Sequence, residues 1–150
     1  MSKRYAAHLA RIRELGAPLS QQQFWTKPYP YGNSFGHLVL HLTGNLNYYI
    51  GAQIANTGYV RDREREFTDA NPPSKEDTLK RLDAAVAMVM ETVRGQSAAD
   101  WEKAYSAVAA VGMNWSNRLD IVVHCAAHMQ HHIGQMIYLG YEFARQQKTS

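Results

Sequence analysis

A single cysteine, Cys125, stands in a chain of 150 residues. No disulfide can therefore close within the chain, and a reducing cytosol is the compartment that suits it. Nowhere does an apolar run approach the ~20 residues that a membrane-spanning helix requires. The first residues, MSKRYAAHLARIRELG, are basic and amphipathic but lack the apolar stretch of a secretory signal. These absences lead to the expectation of a cytoplasmic protein with no membrane partner. Charge of one sign is not concentrated either. Sixteen Lys and Arg face thirteen Asp and Glu, a formal net charge of +3. With no basic block on any one element, nucleic acid is not an expected partner. Internal repeats and low-complexity tracts are lacking, which excludes repeat arrays.

What is present fits one domain over residues 1–150. Hydrophobic residues make up 45% and charged residues 19%, enough apolar surface for one core. Tyr5, Leu9, Ile12 and Leu15 recur at three- and four-residue steps, which predicts a first helix over residues 2–15 ended by Gly16 and Pro18. His8 is expected on its surface. The segment SQQQFWTKPYPYGN reads as an ordered loop, with Phe24, Trp25, Tyr29 and Tyr31 packed over a bundle end. A second helix is expected from Asn33 or Ser34, either able to cap it, to about Gly58. A charged and then proline-rich stretch follows as a long crossover. Ser74 and Asp77 then have the spacing of a capping box for a third helix, with Leu79, Leu82, Val86, Val89 and Val93 as its inner stripe. Residues 96–114 predict a short helix or a strand-like connection around Tyr105–Val111. A last helix is expected over residues 116–144, followed by a frayed tail. Four long helices with connections longer than up-and-down loops require give an all-α four-helix bundle with a long crossover connection.

The stretch HCAAHMQHHIGQ holds four of the seven histidines. Imidazole is a weak helix former and an uncommon core group, so this density asks for a reason. Residues on a helix turn by about 100° each. Leu119, Val122, Ala126, Ile133 and Ile137 then form a core stripe. Beside it runs a second stripe of Ile121, Cys125, His128, His132 and Leu139. His124 and His131 fall on a more polar face. His128 and His132, four apart, can converge on one metal ion. On the second helix, His41 shares a face with Leu38, Asn45, Tyr48 and Ala52 and is the candidate third ligand. His37 is nearer a rim. Three histidines from two helices would leave a coordination position open, the pattern of catalytic sites. An all-imidazole set suits zinc, nickel, copper or iron. Three core histidines held by hydrogen bonds, with no metal, is the plainer alternative. Cys125 reads as a buried structural thiol.

The motifs HLTGN, RDREREF and HMQHHIGQ, in this order and spacing, resemble those of the DinB family of small metal-binding helical bundles. The resemblance spans residues 19–139. It implies a four-helix bundle with a long crossover, often a homodimer. It also implies a divalent metal held by His41, His128 and His132, with His131 not a ligand and zinc or nickel the leading candidates. Many relatives carry Glu in the turn after the first ligand histidine. This chain departs from that pattern with Asn45 and Asn47. The pattern further implies that Arg63 pairs with Glu66 as a structural clip in the crossover. Some relatives transfer low-molecular-weight thiols such as bacillithiol onto electrophiles, and related mycothiol-dependent enzymes isomerise small acids.

The expected function is that of a metal-dependent enzyme acting on a small-molecule substrate, with a low-molecular-weight thiol the leading candidate. S-transfer or hydrolysis would follow from the open position. Asn45, Tyr48 and the arginines Arg61, Arg63 and Arg65 are candidates for orienting a substrate. A metal-binding stress-response or ligand-binding module without turnover is the alternative.

Overall fold

In a computed structural model, which describes residues 1–105, 107 and 115–148, the chain forms helices with no strand among the described residues. The elements are α1 (Ser2–Gly16), α2 (Gln21–Trp25), α3 (Phe35–Leu46) running into a π-helical turn (Asn47–Ala52), α4 (Arg65–Thr68), α5 (Lys75–Gly95), α6 (Ala98–Trp101) and α7 (Arg118–Lys148). The four long ones make the bundle: α1 and α3 each pack against both α5 and α7.

Local sequence explains most boundaries. Ser34 starts α3 by accepting a hydrogen bond from the His37 amide, and Ser74 starts α5 by accepting from the Asp77 amide. Within the aromatic loop, Ser20 and Gln23 form a reciprocal capping box that nucleates α2. The second helix stops earlier than its apolar pattern suggests. A π-helical turn closes it at Ala52, and Asn56 and Gly58 reverse the chain with positive φ. The last helix starts at Arg118, later than expected. It continues past Ala144 to Lys148, so residues 145–148 are helix rather than frayed tail. Most of the strand-like connection expected over Tyr105–Val111 lies outside the described residues. Beside it, Ala104 forms one isolated bridge with Asn117.

The core differs from the helical-wheel expectation in three places. His8 is buried on the same face of α1 as Tyr5 and Ile12, the face that packs against α5 and α7. Leu119 is 41% exposed, and Met129 and Met136 take the core positions of α7 alongside Ile121, Val122, Cys125, Ala126 and Ile133. The same two-sided packing of α7, against α1 and α3, broadens its apolar face. Tyr31 is 73% exposed, whereas Phe24 is fully buried and Trp25 and Tyr29 pack against the core. In α5 Leu79, Leu82, Val86 and Val89 of the expected stripe are buried, and Val93 is partly buried against the core.

Two polar contacts tie the helices together. The Tyr5 hydroxyl donates to the Val122 carbonyl at 2.6 Å inside the core, joining α1 to α7. Arg13 pairs with Asp83 between α1 and α5. The connection over residues 53–74 carries α4 back onto α3, which brings Glu66 to the middle of that helix.

Candidate metal centre

His41 projects from the buried face of α3, one turn beyond Leu38 and one turn before Asn45. His128 and His132 project from α7, which packs against α3. Their ring nitrogens meet. His128 Nε2 lies 3.3 Å from His41 Nε2 and 2.9 Å from His132 Nε2. One ligand atom from each ring falls within 4.8 Å of the other two. His41 is buried, and the two α7 rings are half-buried.

The far side of two rings is fixed by acceptors. Glu66 Oε2 sits 2.9 Å from His41 Nδ1, and a carboxylate can only accept, so His41 carries its proton there. Gln135 Oε1 sits 2.7 Å from His132 Nδ1 and fixes that ring in the same way. Both Nε2 atoms therefore present lone pairs inward. A single Nε2 proton on His128 can satisfy only one of its two contacts. A cation at the meeting point would satisfy all three lone pairs. Zinc–imidazole bonds of about 2.0–2.1 Å in a tetrahedral site place neighbouring nitrogens about 3.3 Å apart, the His41–His128 spacing, with the His128–His132 pair somewhat closer at 2.9 Å. The residues thus fit a divalent metal ion, and the anchoring of outer nitrogens by a carboxylate and an amide is the arrangement that metal-ligating histidines ordinarily have.

Electrostatics agree with that chemistry. Burial, reinforced by the surrounding histidines, lowers His128 to about 3 and His132 to about 4 from the usual 6.5. Both rings are neutral at physiological pH, the form that ligates metal. His128 Nδ1 is buried and has no hydrogen-bond partner among the described residues.

Glu66 is held from behind. Arg61 Nε lies 2.7 Å from Glu66 Oε1, and Arg61 Nη2 lies 2.9 Å from Oε2, a two-pronged ion pair with both side chains almost fully buried. The expected Arg63–Glu66 clip is therefore corrected to Arg61–Glu66. Arg63 instead lies over the Phe67 ring at 5.8 Å, and Arg65 pairs with Asp69 at the surface. The four-residue helix α4 turns Glu66 inward and leaves Arg63 and Arg65 outside it. Gly44 makes the approach possible, because a Cβ there would run into the Glu66 carboxylate and crowd Arg61 Nε at 3.3 Å. The carboxylate absent from the turn after His41 is supplied instead by the crossover. A glycine one turn after His41, together with an acidic residue in RDREREF, was the available signal for this contact.

The remaining candidates fall elsewhere. His37 Nδ1 is 2.8 Å from the Ser34 hydroxyl at the start of α3. His124 lies beside Trp115 and stacks on His128 with ring centres 6.0 Å apart. His131 Nε2 is 3.3 Å from the Gln135 amide nitrogen. Cys125 is fully buried, and burial pushes its thiol up, away from thiolate chemistry. Asn45 is buried, with its Oδ1 unpartnered among the described residues, and Tyr48 packs edge-on to Tyr49.

A family model described as the DinB superfamily matches residues 4–136. A solved structure described as the conserved protein of locus from Enterococcus faecalis superposes with a TM-score of 0.73. The match covers 94% of this chain and 93% of that one, at 18% sequence identity. At that identity the likeness concerns the fold alone. No curated protein matches the chain significantly. Among the described residues, no helix is long and apolar enough to cross a membrane.

Proposed function

We propose, for a chain that belongs to the DinB superfamily, a metal-dependent transfer of a low-molecular-weight thiol onto an electrophile, with His41, His128 and His132 as ligands. Hydrolysis is the corresponding reaction if water takes the place of the thiol. The observation that carries this reading is the meeting of three imidazole nitrogens, two of which are fixed as acceptors by the outer partners of their rings. A divalent ion in such a set favours the anionic form of a bound thiol or water at neutral pH. Zinc and nickel are the leading candidates for an all-imidazole set.

The chain's own residues have separate tasks in this scheme. His128 and His132, half-buried on α7, face the side from which a substrate enters. Glu66 and Arg61 keep His41 oriented from the crossover side. Phe67 packs against the His41 ring, with centres 5.2 Å apart, and keeps water from that flank.

A metal-binding or ligand-binding module without turnover is the second reading. One observation favours it: Glu66, the carboxylate that contacts the cluster, is already engaged by both Arg61 and His41. It is poorly placed to serve as a general base.

The test has two stages. Elemental analysis of the purified protein is expected to find one divalent transition metal per chain. Incubation with a panel of thiols (bacillithiol, glutathione, cysteine) and 1-chloro-2,4-dinitrobenzene should then give thioether and chloride faster than the uncatalysed background only with the metal present. Metal without turnover across the panel would favour the binding module. Absence of metal binding would leave the histidines as core groups.

A further inference from the structure

Beyond the histidines, the loop before α3, Leu38 of α3 and the facing turns of α7 border a cavity of about 230 Å³ whose lining includes Tyr29, Tyr31, Leu38, Gln135, Tyr138 and Leu139. We propose that this cavity binds the electrophilic co-substrate, and that its ligand is a small, neutral, planar molecule. The assignment of a co-substrate rests on the transferase reading above; the binding itself does not.

Position is the first argument. Leu38 lies one turn before His41 on α3, and Gln135 and Leu139 lie one and two turns beyond His132 on α7. The cavity therefore continues the seam that holds the histidines. Gln135 belongs to both places, since its Oε1 holds His132 Nδ1 at 2.7 Å while its side chain lines the cavity.

Chemistry is the second. None of the lining residues carries a charge. An ionised ligand would lose hydration there with no charged lining residue to pair with, whereas a neutral one would lose less. Tyr29 and Tyr31 stack with ring planes 5° apart and centres 5.5 Å apart, a flat wall suited to another π surface. Tyr31 and Tyr138 remain 73% and 69% exposed, so the core does not explain their placement at the rim. Size is the third. An apolar cavity of about 150 Å³ suffices for benzene, so about 230 Å³ admits one substituted ring.

A larger cavity of about 910 Å³ lies between α3, the crossover and α5. It suits this role less well. Asp62, Arg65, Asp69, Asp77 and Arg81 line it, Arg65 and Asp69 pair with each other, and none of its lining residues comes from α7.

The full chain is titrated with 4-nitroanisole, a neutral planar probe, and with 4-nitrobenzoate, its anionic counterpart, followed by calorimetry and saturation-transfer NMR. Both metal-loaded and chelator-treated protein are used. The neutral probe should bind both forms, with the anion about tenfold or more weaker. Tyr31→Ala and Tyr138→Ala should each weaken the neutral probe by about fivefold, while Arg81→Ala leaves it unchanged. Equal affinity for both probes, insensitivity to the tyrosine substitutions, or loss on Arg81→Ala overturns the assignment. So does light scattering that shows a dimer dissolved by Tyr31→Ala, because a second copy would then cover this face. Probe binding without metal uptake would sink the metal reading alone, and metal uptake without probe binding would sink this one alone.

Discussion

Glu66 Oε2 lies 2.9 Å from His41 Nδ1, although the two residues are 25 positions apart and sit on different elements. The contact links the crossover to the bundle seam. It orients one imidazole, fixes its tautomer and leaves the Nε2 lone pair aimed at His128. Because Arg61 grips the same carboxylate with two nitrogens, the orientation of His41 depends on the fold of a loop.

Glu66→Gln should lower metal affinity by about 10- to 100-fold, the usual cost of losing an outer partner of a ligand histidine. Competition with a chromophoric chelator measures this. The isosteric amide is expected to keep the helical content by circular dichroism. Glu66→Ala, which strands the buried Arg61 guanidinium, should in addition cost about 3–5 kcal/mol in urea unfolding. Unchanged affinity in Glu66→Gln would show that His41 does not need this anchor.

Gly44→Ala tests the same contact from the other side. The added methyl occupies the position of the Glu66 carboxylate, so either Glu66 and Arg61 withdraw or α3 shifts. A loss of about 1–3 kcal/mol is expected, accompanied by a fall in metal affinity. A stable variant with wild-type metal content would mean that the crossover can relocate freely.

Among the α7 histidines, the effects should divide sharply. His128→Ala removes the ring that both other Nε2 atoms face and should abolish stoichiometric metal. His124→Ala removes a ring outside the cluster, packed on Trp115, and should keep the metal. Elemental analysis of both proteins decides, and a reversed outcome rejects the ligand assignment.

Acid should destabilise the metal-free protein through these same rings. Folding lowers His128 to about 3 and His132 to about 4, and burial lowers His8, His37 and His124 in the same direction. Above pH 6.5 both folded and unfolded chains hold these imidazoles neutral, and they add no pH dependence. Below it the unfolded chain takes up protons that the folded chain refuses. Stability therefore falls from about pH 6.5 towards pH 4, with the unfolded state holding roughly two or more extra protons near pH 5. Urea unfolding of chelator-treated protein at several pH values measures the slope. A flat profile over that range would contradict the burial of these rings.

The amino-acid sequence by itself determined the four long helices and which histidines meet, but not the short helices α2 and α4 within the segments read as connections. Periodic apolar positions and the caps at Ser34 and Ser74 fix where α3 and α5 begin, because these are local hydrogen bonds and local faces. The four-residue spacing of His128 and His132 likewise places both on one side of α7, whatever it packs against. The breadth of each buried face depended on neighbours. His8 became buried because its side of α1 faces α5 and α7, and Leu119 is exposed at the very start of α7, facts no single-helix pattern contains. The choice of Arg61 over Arg63 for Glu66 came from the turn of α4 and the space left by Gly44. Only tertiary packing brings Gly44 to that pair, since Arg61 and Glu66 lie in the crossover and Gly44 on α3, and the contact is set by how closely the crossover approaches α3.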